Sequence, residues 1–449
     1  MTSPADAGRP LSRGLGATWR EWLVARALPL WSERGFDPER GLYHERLTWS
    51  GAPVALPELR LMVQARQIAV YCRAGLDGLY EPSAPALAQA LLCLETVERL
   101  YWRADGAPGW IFSLAPNGGP ASRVRDLYAH AFILFAYAWA YRLTGAPRYR
   151  RAARETASET WRLFATDGEG FKDKVPQADA IRRQNPHMHL LEACLALFEA
   201  TGEAFYLDQA QSLVGLACQR FVDARSGALL EEFDSGWAPL APWGRNRVEP
   251  GHLFEWAWLL GEYRRLAACG AEEDARLRAV ADRFFLVGRD WGCAPDTGLV
   301  YDAMTEDGIV FEHSTRIWPQ TELLRLLGQR KITEGSEGAD LSSLSGLFFA
   351  RYAPSWLAGG WVDRLDKRLA TTVDYMPASS FNRLCRPGRP YASSPRRCSE
   401  RTGTKVLLGL TRLFDNLHRI MDSSDPTSPT NEWSGPVSHY GALLMLPEQ

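Results

Sequence analysis

The sequence contains no uninterrupted apolar run of about 18 residues, the length that a transmembrane helix needs. Its formal net charge is −2 at pH 7, which gives no reason to expect nucleic acid or an anionic membrane as a partner. Residues 1–14 are rich in Gly, Pro and Ser and lack the apolar centre of a signal peptide, so we expect a disordered leader. These absences favour a cytoplasmic globular protein.

The eight cysteines include no CxxC pair. Most of them, such as Cys72, Cys93 and Cys194, lie within apolar stretches that have helical spacing. This distribution favours reduced, buried thiols over a disulfide framework or a zinc site. A glycine-rich phosphate-binding loop is also lacking, which favours an unphosphorylated substrate. We therefore expect neither a metal nor a cofactor.

Helical periodicity dominates the rest of the chain. The segment 187–200 places Leu190, Leu191 and Cys194 on one helical face, and residues 253–268 show the same pattern. About a dozen such stretches follow one another, separated by segments that carry Gly, Pro, Asp and aromatic residues. The chain therefore has the pattern of an all-α protein.

The connecting segments repeat a glycine followed by an aromatic or aliphatic residue. The examples are Gly41-Leu42-Tyr43, Gly170-Phe171, Gly298-Leu299-Val300 and Gly360-Trp361-Val362. Each predicts a short β-hairpin at one end of a helix pair. About twelve helices make six such pairs, which predicts one (α/α)6 barrel over residues 15–420. Residues 421–449, rich in Ser, Pro, Asp and Thr, are expected to be a poorly ordered tail.

Histidine exchanges protons near neutral pH, and the chain has only eight. His252 follows a Pro-Gly turn that opens a predicted helix, and Glu255 follows it within one turn. His187 and His189 lie near another helix start, and His130 lies inside an apolar helix. For His130 a structural role is the simpler interpretation. His187 and His189 have two open interpretations: they cap their helix, or they belong to a functional site. The polar set around His252 needs buried partners or a function.

Arg316, Trp318 and Glu322 form a further set at a helix start. Tryptophan faces suit the apolar faces of sugar rings, whereas Arg and carboxylates bind hydroxyls. A metal ion is a poor fit to the pair His187 and His189, because side chains two residues apart on a helix diverge and no nearby Asp or Cys completes a ligand set.

An ordered series of motifs resembles the N-acylglucosamine 2-epimerase family, which includes cellobiose 2-epimerases and bacterial mannose isomerases. The resemblance runs from about Trp19 to Phe381. Within the family, the sequence is similar in particular to the mannose isomerase and sulfoquinovose isomerase members. The motifs are VQARQ (63–67), DLYAHAF (126–132), NPHMHLLEA (185–193), EPGHLFEWAWLL (249–260), RIWPQTELL (316–324), GGWVDRLD (359–366) and MPASSF (376–381).

The resemblance implies an (α/α)6 barrel and metal-free proton transfer on an open-chain sugar through a cis-enediolate. It implies that His252 is a catalytic acid/base, that His189 assists it and that Glu255 orients His252 or the sugar hydroxyls. It also implies that the positive charge of Arg66 stabilises the enediolate. Tyr128 and Trp318 are then expected to line the sugar pocket, together with His187, Glu322 and Arg316.

One position departs from the family pattern. Where the family carries Tyr-His after the last motif, with the His as second acid/base, this sequence has Asn382 and Arg383. Arginine does not exchange protons at neutral pH. Three explanations stand: an altered reading frame from this point, replacement by His439, or a barrel that binds sugar without turning it over.

The sequence therefore leaves several functions open. The first is a mannose/fructose-type aldose–ketose isomerase, and the second is a 2-epimerase acting on N-acylglucosamine or a β-1,4-disaccharide such as cellobiose. A non-catalytic carbohydrate-binding barrel is the third. The fourth, a glycoside hydrolase using Glu255 and Glu322, leaves the histidines unexplained. A monosaccharide or disaccharide is the expected partner, and the chain is expected to be a monomer or a homodimer.

Overall fold

The computed structural model describes residues 15–79, 84–334 and 338–385. The predicted leader 1–14, the predicted domain end at residue 420, the predicted tail 421–449 and His439 lie outside these residues. The α-helices within them are α1 Leu15–Trp22, α2 Leu28–Glu33, α3 Leu61–Leu76, α4 Pro85–Tyr101, α5 Leu127–Thr144, α6 Pro147–Leu163, α7 Gln184–Thr201, α8 Ala204–Leu216, α9 Pro250–Ala267, α10 Ala271–Gly292, α11 Ile317–Glu334, α12 Gly338–Arg351 and α13 Ala378–Leu384.

Six helices form a closed inner ring. In chain order α3, α5, α7, α9, α11 and α13 each contact the next, and α13 contacts α3. Helices α4, α6, α8, α10 and α12 pack outside α3, α5, α7, α9 and α11 respectively. In the remaining outer position α2 packs on α13, where the rings of Trp31 and Phe381 stack at 6.0 Å. The predicted (α/α)6 barrel is confirmed.

The positions of the helices follow from their composition. Helix α5 is apolar almost all round, and almost all of its side chains are buried, as expected for an inner helix that contacts neighbours on every side. Helix α6 instead carries Arg and Glu on one face and buries only the opposite face, with Tyr149, Ala153 and Ala157. The fraction of a helix's circumference that is apolar thus decides whether the helix lies in the inner or the outer ring.

Short antiparallel strands form a belt at one end of the ring. The strand before each inner helix pairs with a strand from the following connection, and β16 pairs with β3 to close the belt. The strands are β1 Phe36–Asp37, β2 Leu42–Tyr43, β3 Arg46–Thr48, β4 Leu59–Arg60, β5 Ser113–Leu114, β6 Pro120–Ser122, β7 Arg125–Asp126, β8 Lys174–Val175, β9 Arg182–Arg183, β10 Glu232–Phe233, β11 Arg247–Val248, β12 Ala303–Thr305, β13 Val310–Glu312, β14 Thr315–Arg316, β15 Arg364–Leu365 and β16 Tyr375–Pro377.

The fourth residue of four inner helices accepts a hydrogen bond from the backbone of a connecting turn. The pairs, acceptor first, are Gln64 with Tyr43 N at 2.7 Å, His130 with Trp110 N at 3.1 Å, His187 with Phe171 N at 2.9 Å and Gln320 with Val300 N at 2.9 Å. Three of these turns contain the repeated glycine motifs of the sequence. A buried N–H left without a partner is costly, so these side chains fix the turns to the ring.

This repeated contact gives His130 and His187 structural roles. Their Nδ1 atoms lie 2.8 Å and 2.9 Å from the carbonyl oxygens of Asp126 and Arg183, so both ring nitrogens of each histidine are engaged. Burial lowers the pKa of each histidine to about 4, which keeps the rings neutral with Nδ1 as donor and Nε2 as acceptor.

Close packing of α10 on α9 depends on Gly288. A Cβ at this position would lie 2.7 Å from the ring of Phe254, which is fully buried and has little room to move. We expect Gly288→Ala to lower the free energy of unfolding by about 1–3 kcal/mol through overpacking. Gly215→Ala on α8, where a Cβ meets nothing within 4 Å, is the control and should stabilise by about 0.5–1 kcal/mol. Chemical denaturation of both variants measures the difference, and equal values would contradict the proposed packing constraint.

Candidate active site

A cavity of about 480 Å³ lies at the belt end of the barrel. Every inner helix contributes a residue from its first two turns to the wall. These residues, in chain order, are Arg66, Tyr128, Asn185, His252, Trp318 and Arg383. The volume is within the range of small-molecule sites, about 300–1,000 Å³. The ends of the inner helices therefore converge on one concave site.

His252 has one ring nitrogen fixed by the protein. Its Nδ1 lies 2.9 Å and 3.0 Å from the two carboxylate oxygens of Glu231. Gln184 donates to the same carboxylate at 2.8 Å, and its own orientation is set because its Oε1 accepts from Trp256 at 2.7 Å. The Nδ1–H therefore donates to Glu231, and the opposite nitrogen, Nε2, is the one available to a ligand in the cavity.

The surroundings of His252 increase its basicity. Burial by itself lowers the pKa of His252, but the negative charge and hydrogen bond of Glu231, with further negative charge from Glu249 and Glu255, outweigh burial and raise that pKa. The ring of Trp318 packs against the imidazole at a tilt of 36°, with centroids 4.8 Å apart. His252 is thus a fixed, single-sided base, which suits general acid–base chemistry.

Glu231 is a candidate site residue that the sequence analysis did not identify. The resemblance implies that Glu255 orients either His252 or the sugar hydroxyls. In the structure the carboxylate beside Nδ1 of His252 is that of Glu231, which precedes strand β10. Glu255 lies on the same helix as His252 and faces Arg383 instead. The local signal for Glu231 was weak, since it is one of two adjacent glutamates in a connecting segment.

Arg383 lies at the centre of a buried charge network. Its Nη1 donates to Glu255 at 2.6 Å and to Glu322 at 2.9 Å, and its Nη2 lies 3.3 Å from Nε2 of His189. Burial alone raises the pKa of Glu255, but the charge of Arg383, together with His189 and Arg325, overcomes burial and lowers it to about 2. The guanidinium is thus held as a cation in the site.

His189 lies behind the cavity wall and is neutral. Its Nδ1 is 3.3 Å from Glu192, so Nδ1 is the donor and Nε2 accepts from Arg383. Burial dominates over the nearby carboxylates Glu255 and Glu192, and Arg383 acts in the same direction as burial, so the pKa of His189 falls to about 4. The structure therefore connects His189 to the cavity through Arg383 and through Tyr128, whose ring meets it at 4.8 Å.

Four residues that the sequence analysis names as candidates line the cavity: Arg66, Tyr128, Trp318 and Arg316. Arg66 donates to the carbonyl oxygen of Ser379 at 2.7 Å and to the hydroxyl of Tyr128. Arg316 bonds to Asp302 and to Glu249.

The remaining predicted residues are not part of the cavity wall. His187 lies beneath a connecting turn, with both ring nitrogens bonded to backbone. Glu255 and Glu322 are buried behind Arg383 and paired with it, which leaves neither as a free acid or base for glycoside hydrolysis.

Ligand atoms of His189, Glu192 and Glu255 lie within 4.8 Å of one another, a spacing that suits a metal ion. However, the guanidinium of Arg383 already bonds to both His189 and Glu255. A second cation at this position would meet a fixed positive charge, so the donor set does not fit a metal while Arg383 is present.

These features define a class of protein, a helical barrel whose inner helix ends form a site with a histidine base, arginines and a tryptophan face. The family model of N-acylglucosamine 2-epimerase matches residues 41–383. The chain belongs to the N-acylglucosamine 2-epimerase family, which confirms the resemblance seen in the sequence.

Two relatives match most of the chain. A protein of Rhizobium meliloti (strain 1021) named mannose-6-phosphate isomerase is 33% identical, covering 80% of this chain and 92% of that protein. A D-mannose isomerase of Thermobifida fusca is 29% identical, covering 79% and 89%. The predicted class, a sugar isomerase or epimerase, is confirmed.

A crystal structure of a D-mannose isomerase superposes with a TM-score of 0.71 at 19% identity, covering 91% of this chain and 100% of that one. At this identity the match supports the fold. No helix in the described ranges is both long and apolar enough to cross a bilayer.

The contact between Glu231 and His252 predicts a pH dependence. A base must be unprotonated to act, so kcat/KM should fall about tenfold per pH unit below the pKa of His252, which lies above the usual 6.5. In Glu231→Gln, burial becomes the dominant influence and that pKa falls. The acid limb should then move to lower pH. The maximum rate should fall about 100-fold or more, because a neutral amide does not stabilise the protonated imidazole and its NH2 group can present a donor to Nδ1.

The matched control is Glu169→Gln, since Glu169 is half-exposed and paired with Arg220 outside the cavity. Its pH–rate profile should coincide with that of the wild type. An unmoved acid limb in Glu231→Gln would show that another group controls the profile.

Proposed function

We propose that this protein is an aldose–ketose isomerase that interconverts a mannose-type monosaccharide with its fructose-type ketose. The observation that carries the proposal is His252, the one histidine among the described residues that line the cavity, with Nδ1 fixed and Nε2 available. The names of the two relatives, both mannose or mannose-phosphate isomerases, support the same reaction class.

In this reaction Nε2 of His252 takes the proton from C2 of the open-chain aldose. The electron pair of the broken C2–H bond forms the C1–C2 double bond, and a cis-enediolate results. Within the enediolate the proton of the O2 hydroxyl passes to O1, which leaves the negative charge on O2. The protonated imidazole then returns a proton to C1 on the same face, so that O2 becomes the ketone oxygen, O1 is a hydroxyl and His252 is neutral again. Glu231 stabilises the protonated imidazole, and the cations Arg66 and Arg383 stabilise the charge on the enediolate oxygens.

Arg383 favours isomerisation over epimerisation. Inversion at C2 requires a proton donor on the face opposite to the base, whereas transfer from C2 to C1 requires only one base. Burial lowers the pKa of Arg383, but Glu255 and Glu322 more than offset this and raise it above its already high usual value. The guanidinium therefore remains charged and does not serve as the second acid/base.

D-Mannose incubated with the protein in D₂O and followed by NMR tests the proposal. We expect fructose with deuterium at C1 and no glucose with deuterium at C2. Glucose formation would show that a second proton donor reaches C2, with His439, outside the described residues, as the first candidate. Sugar binding without exchange at either carbon would favour a non-catalytic barrel.

Replacing Arg383 tests its effect on product stereochemistry. In Arg383→His, alone or with Asn382→Tyr, a titratable imidazole stands where the guanidinium was. Because a positioned acid or base contributes about 10²–10⁴-fold, C2 epimerisation should rise at least about 100-fold over the wild type. The same NMR assay measures the glucose formed from mannose.

Arg383→Lys is the control, because it keeps a cation near Glu255 and Glu322 but adds no group that exchanges protons readily at neutral pH. It should form no glucose. Thermal unfolding of both variants checks that the barrel remains folded. Equal epimer formation by the Lys and His variants would contradict the role assigned to position 383.

We further propose that the protein works in the cytoplasm as a monomer or homodimer. The cysteines within the described ranges are all free thiols, which supports a reducing compartment. Light scattering on the purified chain tests the oligomeric state.

A further inference from the structure

The two sides of the cavity wall differ in how their charges are paired. The side of α7, α9 and α11, where His252 is found, carries Glu231, Glu232 and Glu249. It also carries three arginines, each paired with Glu232 or Glu249: Arg183, Arg247 and Arg316. The opposite side, formed by the segments leading into α3 and α13, carries Arg46 and Arg60. Because α9 lies across the ring from α3, the cationic side faces the base across the cavity.

Arg46 differs from the other arginines on this wall. Arg60 is held by Glu45 through two hydrogen bonds at 2.7 Å and 3.0 Å. No carboxylate of the described residues lies within ion-pair distance of Arg46. Its guanidinium instead lies over the ring of Tyr375, 4.2 Å from the centroid, and the side chain is half-buried. A half-buried arginine that is positioned by an aromatic ring and has no anionic partner is suited to bind an anion.

Asp363 is the one carboxylate among the lining residues near α13, and it is already engaged. Its oxygen accepts from the hydroxyl of Ser380 at 2.7 Å, and burial raises its pKa. Glu45 also interacts electrostatically with Arg46, but its carboxylate is bonded to Arg60. No carboxylate of the described residues therefore forms an ion pair with Arg46.

We propose that Arg46, supported by Tyr375, binds a tetrahedral oxyanion on the end of the substrate remote from C1 and C2, and that the substrate is a hexose 6-phosphate. The inference rests on the proposed function, since it assumes that C1 and C2 face His252. A sugar whose C1 and C2 face His252 directs its C6 toward the opposite wall, where Arg46 lies. This proposal departs from the preference for an unphosphorylated substrate that the missing glycine-rich loop suggests, because arginine side chains bind phosphate without such a loop.

Equilibrium binding tests the inference independently of turnover. We would titrate the wild type and Arg46→Met with D-mannose, mannose 6-phosphate and mannose 6-sulfate in a calorimeter. The wild type should bind mannose 6-phosphate at least about tenfold more tightly than mannose, as expected for charge-assisted hydrogen bonds. Arg46→Met should lose that difference between mannose 6-phosphate and mannose, and Arg46→Lys should restore part of it. If mannose 6-sulfate binds as tightly as mannose 6-phosphate, the subsite accepts a monoanion, and the assignment of a hexose 6-phosphate as substrate is overturned.

Arg40→Met is the matched control, because Arg40 is exposed and lies outside the cavity, next to Asp37. It should leave all three affinities unchanged. Equal affinity of the wild type for mannose and mannose 6-phosphate, or no effect of Arg46→Met, would overturn the anion subsite.

Turnover measured in parallel separates the two proposals. Isomerisation without a phosphate preference retains the proposed function and rejects the subsite. Phosphate-dependent binding through Arg46 without isomerisation of either sugar retains the subsite and rejects the isomerase.

Discussion

The charge network around Arg383 is the interaction on which the inner end of the barrel depends. Glu255 on α9 and Glu322 on α11 are fully buried, and an uncompensated buried carboxylate costs several kcal/mol. Arg383 on α13 lies between them, so one guanidinium joins three inner helices where the ring closes. The same requirement limits the chemistry, because a group held as a permanent cation stabilises negative charge but does not transfer protons.

The candidate group for proton transfer consequently lies on the other side of the cavity. There Glu231 fixes one nitrogen of His252 and raises its pKa, whereas burial keeps His189 neutral behind the wall. Two histidines of similar depth thus have opposite pKa shifts, because only His252 has a carboxylate in close contact that outweighs burial. An asymmetric site of this kind suits transfer of a proton between adjacent carbons on one face.

The barrel could be predicted from the sequence because the signals for its helices and turns are carried by residues close together in the chain. Apolar residues at helical spacing marked the helices, and the repeated glycines marked the turns between them. The structure adds a reason for the repeat, since the residues after Gly41, Gly170 and Gly298 are bound by side chains at the starts of the inner helices. This contact also accounts for the position of His187. Its place in the motif NPHMHLLEA suggests a substrate-binding residue, but both of its ring nitrogens bond to the backbone.

The sequence by itself determined the family, the helical ring and the identity of His252 as the candidate base, because helical spacing and ordered motifs are properties of neighbouring residues. Tertiary structure alone decided which charges meet. Glu231 is 21 residues from His252, Arg383 is 128 residues from Glu255, and Arg46 belongs to a strand paired with the segment that leads into α13. Such contacts arise only when the ring closes, because closure brings the first and last connections of the described barrel to one wall.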